Sequence, residues 1–542
     1  MKSESFLKGT AILVAAAVVT KAFGALFTIP LARLIGAEGV GLLHMASPVF
    51  VMALVLCTSG LPVATSKLVA ERVARRDHRG ARQVLQVCLG FVTPIALALS
   101  GALYASAGFL AAAVVKDPRA YFAMRWLSPA LLISPIAGAL RGYFQGYRTM
   151  IPTAASQVAE QVVRVVAGLA FAYALVPRGV QWAAAGAAAG SWAGAAAGLC
   201  VLAAFYFTAS GEQARSSPAR GAFELAKSHA RVQRSGPGAT LCQLLSLAGP
   251  ATLGALVLPL LEAINAVVVP ARLQQAGHAV AEATRLYGHL EVMALGLVAL
   301  PGVVTAAVAT SLVPQVATAD ACGEVQRSRR LARQALRSAF VIGLPAAAGL
   351  AVLPTQLCSL LFKDPAGGTP LSAMAFSSLF FCLQQTTAGV LNGYGRVLVP
   401  ARNGLIGAAV AGGVNYVLTA MPEFGIRGAA LGTGLAFVVA GTLNTAAVAR
   451  ASGDGWRLLA VGWRALAGCI VMVPVVTCVY QSCLAYSYDN SLSTVAAVVA
   501  GAIVYAVVLT VLGEFAYREV AAVPLVGRDL ADALRRAGLL RK

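Results

Sequence analysis

The chain has 542 residues, of which 58% are hydrophobic and 12% charged, with a mean hydropathy of +0.77. That balance excludes a soluble globular protein, in which roughly a quarter of the residues are Asp, Glu, Lys or Arg. A formal net charge of +21 invites a nucleic-acid reading, which the placement of the basic residues removes.

Crossing the hydrocarbon takes about 20 consecutive apolar residues. Fourteen stretches meet that length, at 9–32, 40–66, 84–115, 121–145, 153–176, 183–207, 241–269, 289–316, 338–362, 371–393, 403–421, 428–449, 465–486 and 493–514. Lys21 interrupts the first, and apolar character resumes beyond it, so this stretch reads as an uncleaved first helix and not as a signal peptide. The stretches at 84–115 and 241–269 are long, and Pro94, Pro250 and Pro259 mark where they tilt or break. A polar, basic segment at 208–240, with Ser216-Ser217-Pro218 and Ser235-Gly236-Pro237-Gly238, has the composition of a linker or a lipid-headgroup-binding stretch. After Pro524, Leu525, Leu530, Leu534 and Leu539 alternate with Arg528, Arg535 and Arg536 as in a short amphipathic surface helix.

The chain also repeats itself. Val63-Ala64-Thr65-Ser66 returns as Val308-Ala309-Thr310-Ser311, Lys116-Asp117-Pro118 as Lys363-Asp364-Pro365, and Gly146-Tyr147 as Gly393-Tyr394. These matches keep their order at an offset of roughly 247 residues, the mark of a duplicated transporter half. The expected fold is therefore an all-α integral membrane protein of about fourteen spans, two six-helix repeats plus two C-terminal helices. Its parts are an N-lobe at 1–207, a basic cytoplasmic linker at 208–240, a C-lobe at 241–450, extra helices at 451–516 and a cytoplasmic tail at 517–542. With both termini inside, roughly three-quarters of the Lys and Arg fall on the cytoplasmic side, as the positive-inside rule requires. An anionic inner leaflet suits that face, and membrane lipids are its expected contact. The expected location is the plasma membrane, multi-pass, and no nucleic-acid partner is needed.

A charge near the bilayer midplane is costly, so each one there points to function. Lys21 stands about halfway along the first stretch, too far from either interface to snorkel easily. Glu160 and Arg164 are four apart and share a helix face, where each can neutralise the other, and Gln157 extends that face by a turn. An intrahelical ion pair and a substrate contact are both open readings. Glu262 and Asn265, near the outer end of the seventh stretch, are a possible coupling-ion site or simply interfacial. Arg125 lies about one turn into the fourth stretch and can snorkel outward. The ten cysteines are scattered, and the five histidines form no ligand cluster, so no metal or cofactor is expected. No G-x-S-x-G, H-E-x-x-H or Walker loop is present, and no enzyme is expected.

Some segments carry a resemblance. Phe6-Leu7-Lys8-Gly9-Thr10, Leu31-Ala32-Arg33-Leu34-Ile35-Gly36-Ala37-Glu38-Gly39-Val40-Gly41, Gly60-Leu61-Pro62-Val63-Ala64-Thr65-Ser66-Lys67 and Arg141-Gly142-Tyr143-Phe144-Gln145-Gly146-Tyr147 resemble the polysaccharide-flippase branch of the multidrug/oligosaccharidyl-lipid/polysaccharide (MOP) exporter superfamily. The stretch from Pro152 to Arg164 is similar to the signature of a sporulation-protein subfamily within it, and Thr310-Ser311-Leu312-Val313-Pro314 fits as well. The resemblance implies two lobes around a central cavity and a lipid-linked cell-wall precursor, lipid II, as cargo, with cell-wall synthesis proteins as possible partners. Lys21 matches the family's basic position in the first helix, whereas Thr28 stands where relatives commonly carry a second basic residue, which implies an anion site that is either weaker or completed by another cation such as Arg164. A teichoic or capsular saccharide flippase, a drug or cation antiporter, a polytopic transferase and a non-transporting scaffold stay open as alternatives.

Overall fold

A computed structural model describes residues 2–75, 77–147, 149–215, 237–453, 455 and 461–514. Within these, the side chains of 2–22, 25–26, 209–215, 237, 239, 247–251, 253–254 and 487 lie outside the description. The expected amphipathic tail helix and most of the expected linker therefore fall outside the described residues. Every regular element described is helical.

The chain forms two compact units, residues 1–271 with 279–288, and residues 272–278 with 289–542. The first contains α1 (Lys2–Thr58), α2 (Leu61–Ala74), α3 (His78–Phe109), α4 (Ala120–Gly146), α5 (Ile151–Leu175), α6 (Val180–Arg215), α7 (Pro237–Ala255), most of α8 (Val257–Gln275) and α9 (Val280–Gly288). The second contains α10 (Leu295–Ala321), α11 (Val325–Val352), α12 (Pro354–Phe362), α13 (Gly368–Met374), α14 (Ser377–Gly393), α15 (Leu398–Leu418), α16 (Gly425–Ser452), α17 (Trp463–Ser487) and α18 (Asn490–Val511).

Eleven helices among the described residues are long and apolar enough to cross a membrane, or twelve if Pro365–Met374 and Ser377–Gly393, bent by 60°, form one broken span. Fourteen were expected, and the difference has two sources, the first being that the expected span 9–32 lies mostly among residues whose side chains are outside the description. The stretch Phe27–Ala74 is 48 residues long. At 1.5 Å per residue that is about 72 Å, more than twice the hydrocarbon thickness. Its continuity is broken at Gly36, whose φ of 70° and ψ of 175° are not helical. Helix α15 is the other source, because Arg402, Asn403 and Asn415 lower its mean hydropathy. The long seventh stretch does break, at Leu256 between α7 and α8.

Without a hydrophobic effect between helices inside lipid, small residues let backbones approach and gain dispersion. On α6, Gly186, Gly190, Gly194 and Gly198 recur every four residues and so line one face, turned toward α5. A Cβ on Gly194 would stand 2.5 Å from the Glu160 carbonyl oxygen. On α4, a Cβ on Gly142 would stand 2.5 Å from the Pro62 carbonyl oxygen of α2. In the second unit, Gly389 of α14 meets Ala309 of α10 in the same manner.

The sequence repeat is visible as repeated local structure. Lys116 and Lys363 both take left-handed backbone, φ 61° and 59°, which non-glycine residues seldom adopt. The aspartate that follows each accepts a hydrogen bond at 3.0 Å from the N–H two residues on, Arg119 for Asp117 and Ala366 for Asp364. Tyr147 stacks on His78 at the start of α3, and Tyr394 hydrogen-bonds Ser328 at 2.5 Å near the start of α11. Each half thus ties a turn to the start of a preceding helix with the tyrosine of its own Gly-Tyr pair.

Candidate functional site

Helix α5 carries Ser156, Gln157, Glu160, Gln161 and Arg164 at three- and four-residue spacing, one polar face on an otherwise apolar helix. Counting 1.5 Å per residue from Ile151, Glu160 lies about 13 Å and Arg164 about 20 Å along an axis of some 37 Å, so they straddle its midpoint.

The expected contact between Glu160 and Arg164 is not what the side chains make. Glu160 Oε2 accepts from Arg141 Nη2 of α4 at 2.6 Å, and Arg141 Nε donates to Ser156 Oγ at 2.9 Å. Arg164 turns instead to Gln161, donating from Nη2 to Oε1 at 2.6 Å, while its buried Nε has no hydrogen-bond partner. The reason is local room. Opposite the pair, α6 presents Gly198, where a Cβ would stand 3.2 Å from Glu160 Cβ and 3.3 Å from Arg141 Nη2. The glycine leaves space for the Arg141 guanidinium to reach the carboxylate directly, with Ser156 as a second acceptor. The Arg141 and Glu160 side chains are 17% and 20% exposed. Two guanidinium groups and one carboxylate give the face a net charge of +1; Arg141 makes the direct ion pair, and Arg164 meets the Glu160 charge only through space.

Gln157 shares this face half-buried and makes no hydrogen bond among the described residues. Lys21 lies in the helical backbone of α1, but its side chain is outside the described residues. Helix α1 packs along α5, where Phe27 touches Gly168. Glu262 is half-buried on α8 with no ion pair or hydrogen bond among the described residues, and Asn265 one turn on is fully buried. Neither belongs to the α5 cluster.

Two loop networks went unread in the sequence. Asp117, fully buried, accepts from Arg119 at 2.8 Å and from the Thr284 hydroxyl at 2.6 Å, and Arg119 also pairs with Glu38 just beyond the Gly36 break. Burial alone would raise the Asp117 carboxyl. Hydrogen bonds from Arg119 and Thr284, together with the Arg119 charge, outweigh burial and hold it below the ordinary carboxylate range. In the second unit, Asp364 meets His289 Nε2 at 2.8 Å, where a π-helical stretch, His289–Ala294, interrupts the helix. Arg141 and Gln161 were also overlooked as site residues. Both lie in segments quoted above for their resemblance, and Arg141 stands inside the fourth apolar stretch, near its end.

The polysaccharide biosynthesis protein family model matches residues 6–319. A relative, stage V sporulation protein B of Bacillus subtilis (strain 168), is 30% identical over 534 residues, 97% of this chain and 99% of that protein. The chain belongs to the polysaccharide biosynthesis protein family. A second model, MatE, matches residues 292–421. The lipid II flippase MurJ of Bacillus subtilis (strain 168) is similar at 23% identity, covering 84% of this chain and 85% of that one. The fold is that of a solved inward-facing multidrug resistance MATE family transporter of the MOP superfamily, with a TM-score of 0.65 at 16% identity over 82% of this chain and 98% of that one. The chain is thus a multi-pass membrane protein, helical throughout its described elements, of the polysaccharide biosynthesis protein family, with the fold of MOP-superfamily transporters and a similarity to a lipid II flippase.

Proposed function

We propose that the protein is a flippase that carries an undecaprenyl-pyrophosphate-linked cell-wall saccharide, of the lipid II class, from the inner to the outer leaflet by alternating access. The observation that carries the proposal is the charge arrangement on α5. Glu160 is taken by Arg141, and Arg164 rests on a neutral amide, so the mid-membrane face holds one cation more than it can neutralise. Such a charge in hydrocarbon calls for an anionic counter-ion, and the pyrophosphate of a lipid-linked sugar supplies one while its polyprenyl tail stays in lipid. Lys21 would add a second cation, and Gln157 a neutral donor for sugar hydroxyls or phosphate oxygens. The curated relatives support the same class, one being named a lipid II flippase.

In this reading both termini are cytoplasmic, the six-helix N-lobe and C-lobe rock against each other, and Glu262 with Asn265 is where a coupling ion would sit. The family's description as polysaccharide biosynthesis favours a second cargo of the same chemistry, a teichoic or capsular saccharide on the same pyrophosphate anchor. Leaflet-resolved detection of lipid II after depletion of the protein separates the two. Accumulation of lipid II in the inner leaflet is the expected result, and an unchanged leaflet distribution would remove lipid II as the cargo.

A further inference from the structure

Within the first unit, α3, α4 and α6 line an open cavity of about 630 Å³ that takes in none of the α5 cluster. Tyr104 of α3, Tyr121, Arg125 and Trp126 of α4, and Trp182 and Trp192 of α6 line it, so it is an aromatic slot with one charge. The guanidinium carbon of Arg125 lies 4.0 Å from the centre of the Tyr104 ring and 5.4 Å from that of Tyr121, and an Arg125 N–H also donates to the Tyr121 hydroxyl. Among the described residues no carboxylate pairs with it. Ring faces attract a cation but do not neutralise it. The charge is therefore held in place, half-buried, and left without a counter-ion. Outward snorkelling accounts for its tolerance near an interface but not for the ring stack that fixes it over a cavity.

The slot is also deep. Arg125 stands five residues into α4, about 7 Å below its start, and Trp192 stands ten residues beyond Trp182 on α6, about 15 Å further down. A hydrocarbon leaflet is about 15 Å thick, so the slot runs from the interface to near the middle of the bilayer. Tyr104 and Trp126 are 47% and 40% exposed, which leaves its side open to lipid. The charge is at the shallow end and indole at the deep end.

We infer that this slot is a binding site for one anionic phospholipid, its phosphate on Arg125 and the upper part of an acyl chain along Trp126 and Trp192. Charge complementarity selects the headgroup. A zwitterionic lipid brings its own cation to the phosphate and gains less from the guanidinium, whereas phosphatidylglycerol presents an uncompensated phosphate to it. With the orientation set by the cytoplasmic excess of basic residues, the occupied leaflet is the outer one. The inference does not depend on the cargo.

Three of the five tryptophans line the slot, so their fluorescence reports occupancy. The full-length protein in phosphatidylcholine nanodiscs is titrated with chain-brominated phosphatidylglycerol or with chain-brominated phosphatidylcholine, and quenching is recorded. Brominated phosphatidylglycerol should quench with an apparent affinity roughly three to ten times higher, the advantage of one charge-assisted contact exposed to exchange. Arg125→Gln should reduce that ratio to about one without altering the phosphatidylcholine curve. Arg125→Lys should keep part of the preference. Equal quenching of the wild-type protein by the two lipids would overturn the inference with no variant needed. A preference that survives Arg125→Gln would overturn the assignment of the phosphate to this residue, and stronger protection of the tryptophans by undecaprenyl pyrophosphate than by phosphatidylglycerol would overturn the choice of occupant.

Discussion

If Arg141 is the partner of Glu160, a double-mutant cycle across α4 and α5 must show it. The perturbations are Arg141→Gln, Glu160→Gln and the two together, with Arg164→Gln paired with Glu160→Gln as the comparison cycle. The contact is 2.6 Å with both side chains about one-fifth exposed. Two unit charges about 4 Å apart at an effective dielectric near 20 interact by about 4 kcal/mol, and the remaining water access reduces that to about 2 kcal/mol. Removing either partner alone strands the other in a mostly dry helix interface, a loss of about 3 kcal/mol, the low end for a buried pair. The double neutral variant should lose less than the sum of the singles, giving a coupling of about 2 kcal/mol between Arg141 and Glu160. Glu160 and Arg164, which interact through space without a direct contact, should couple more weakly than Glu160 and Arg141. Denaturation of the purified protein in detergent, followed by loss of helical circular dichroism, measures all four corners of each cycle. A larger coupling for Glu160 with Arg164 than with Arg141 would refute the reasoning, because the charge left for the substrate would then belong to Arg141.

Further outcomes follow from neighbouring features. Lys21→Ala should leave protein abundance normal and abolish transport, with Lys21→Arg retaining a part, as read by membrane levels beside a transport assay; loss of protein together with activity would make Lys21 structural. Gly198→Ala places a Cβ 3.3 Å from Arg141 Nη2 and should cost about 1–2 kcal/mol in the same denaturation assay by displacing the pair. Asp117→Asn should destabilise at neutral pH. The folded Asp117 carboxyl titrates below its ordinary 3.8, so its contribution is complete above that value and disappears as pH falls through the lower folded one. The difference in stability between wild type and Asp117→Asn should therefore shrink only on strong acidification, and a difference that already vanishes near pH 6 would contradict the network.

The span positions, the duplication and the polar face of α5 were legible in the residues, because hydropathy runs and the 3.6-residue period are properties of one helix at a time. The ion-pair partner was not. Glu160 and Arg164 lie four apart in sequence, whereas Arg141 reaches Glu160 from another helix, through a gap that Gly198 opens on a third. No periodicity records that crossing. Arg141 stands near the end of its stretch, and its side chain runs to the Glu160 carboxylate. The Lys-Asp-Pro repeat was visible as letters, but the partners of its aspartates, Thr284 and His289, lie 167 and 75 residues away. Eleven or twelve of the fourteen expected spans are counted among the described residues, because the side chains of the first, 9–32, lie mostly outside them and the polar residues of α15 lower its hydropathy.

The central claim is that the mid-membrane cation of α5 carries a lipid-linked pyrophosphate across the bilayer. Its most direct test is vesicles holding the purified protein with fluorescent lipid II in one leaflet, in which the fraction reaching the other leaflet is followed with an impermeant quencher. The account predicts protein-dependent translocation that Arg164→Gln abolishes while the variant stays folded. Translocation by the Arg164→Gln variant at the wild-type rate, or none by the wild-type protein with any pyrophosphate-linked saccharide, would contradict it.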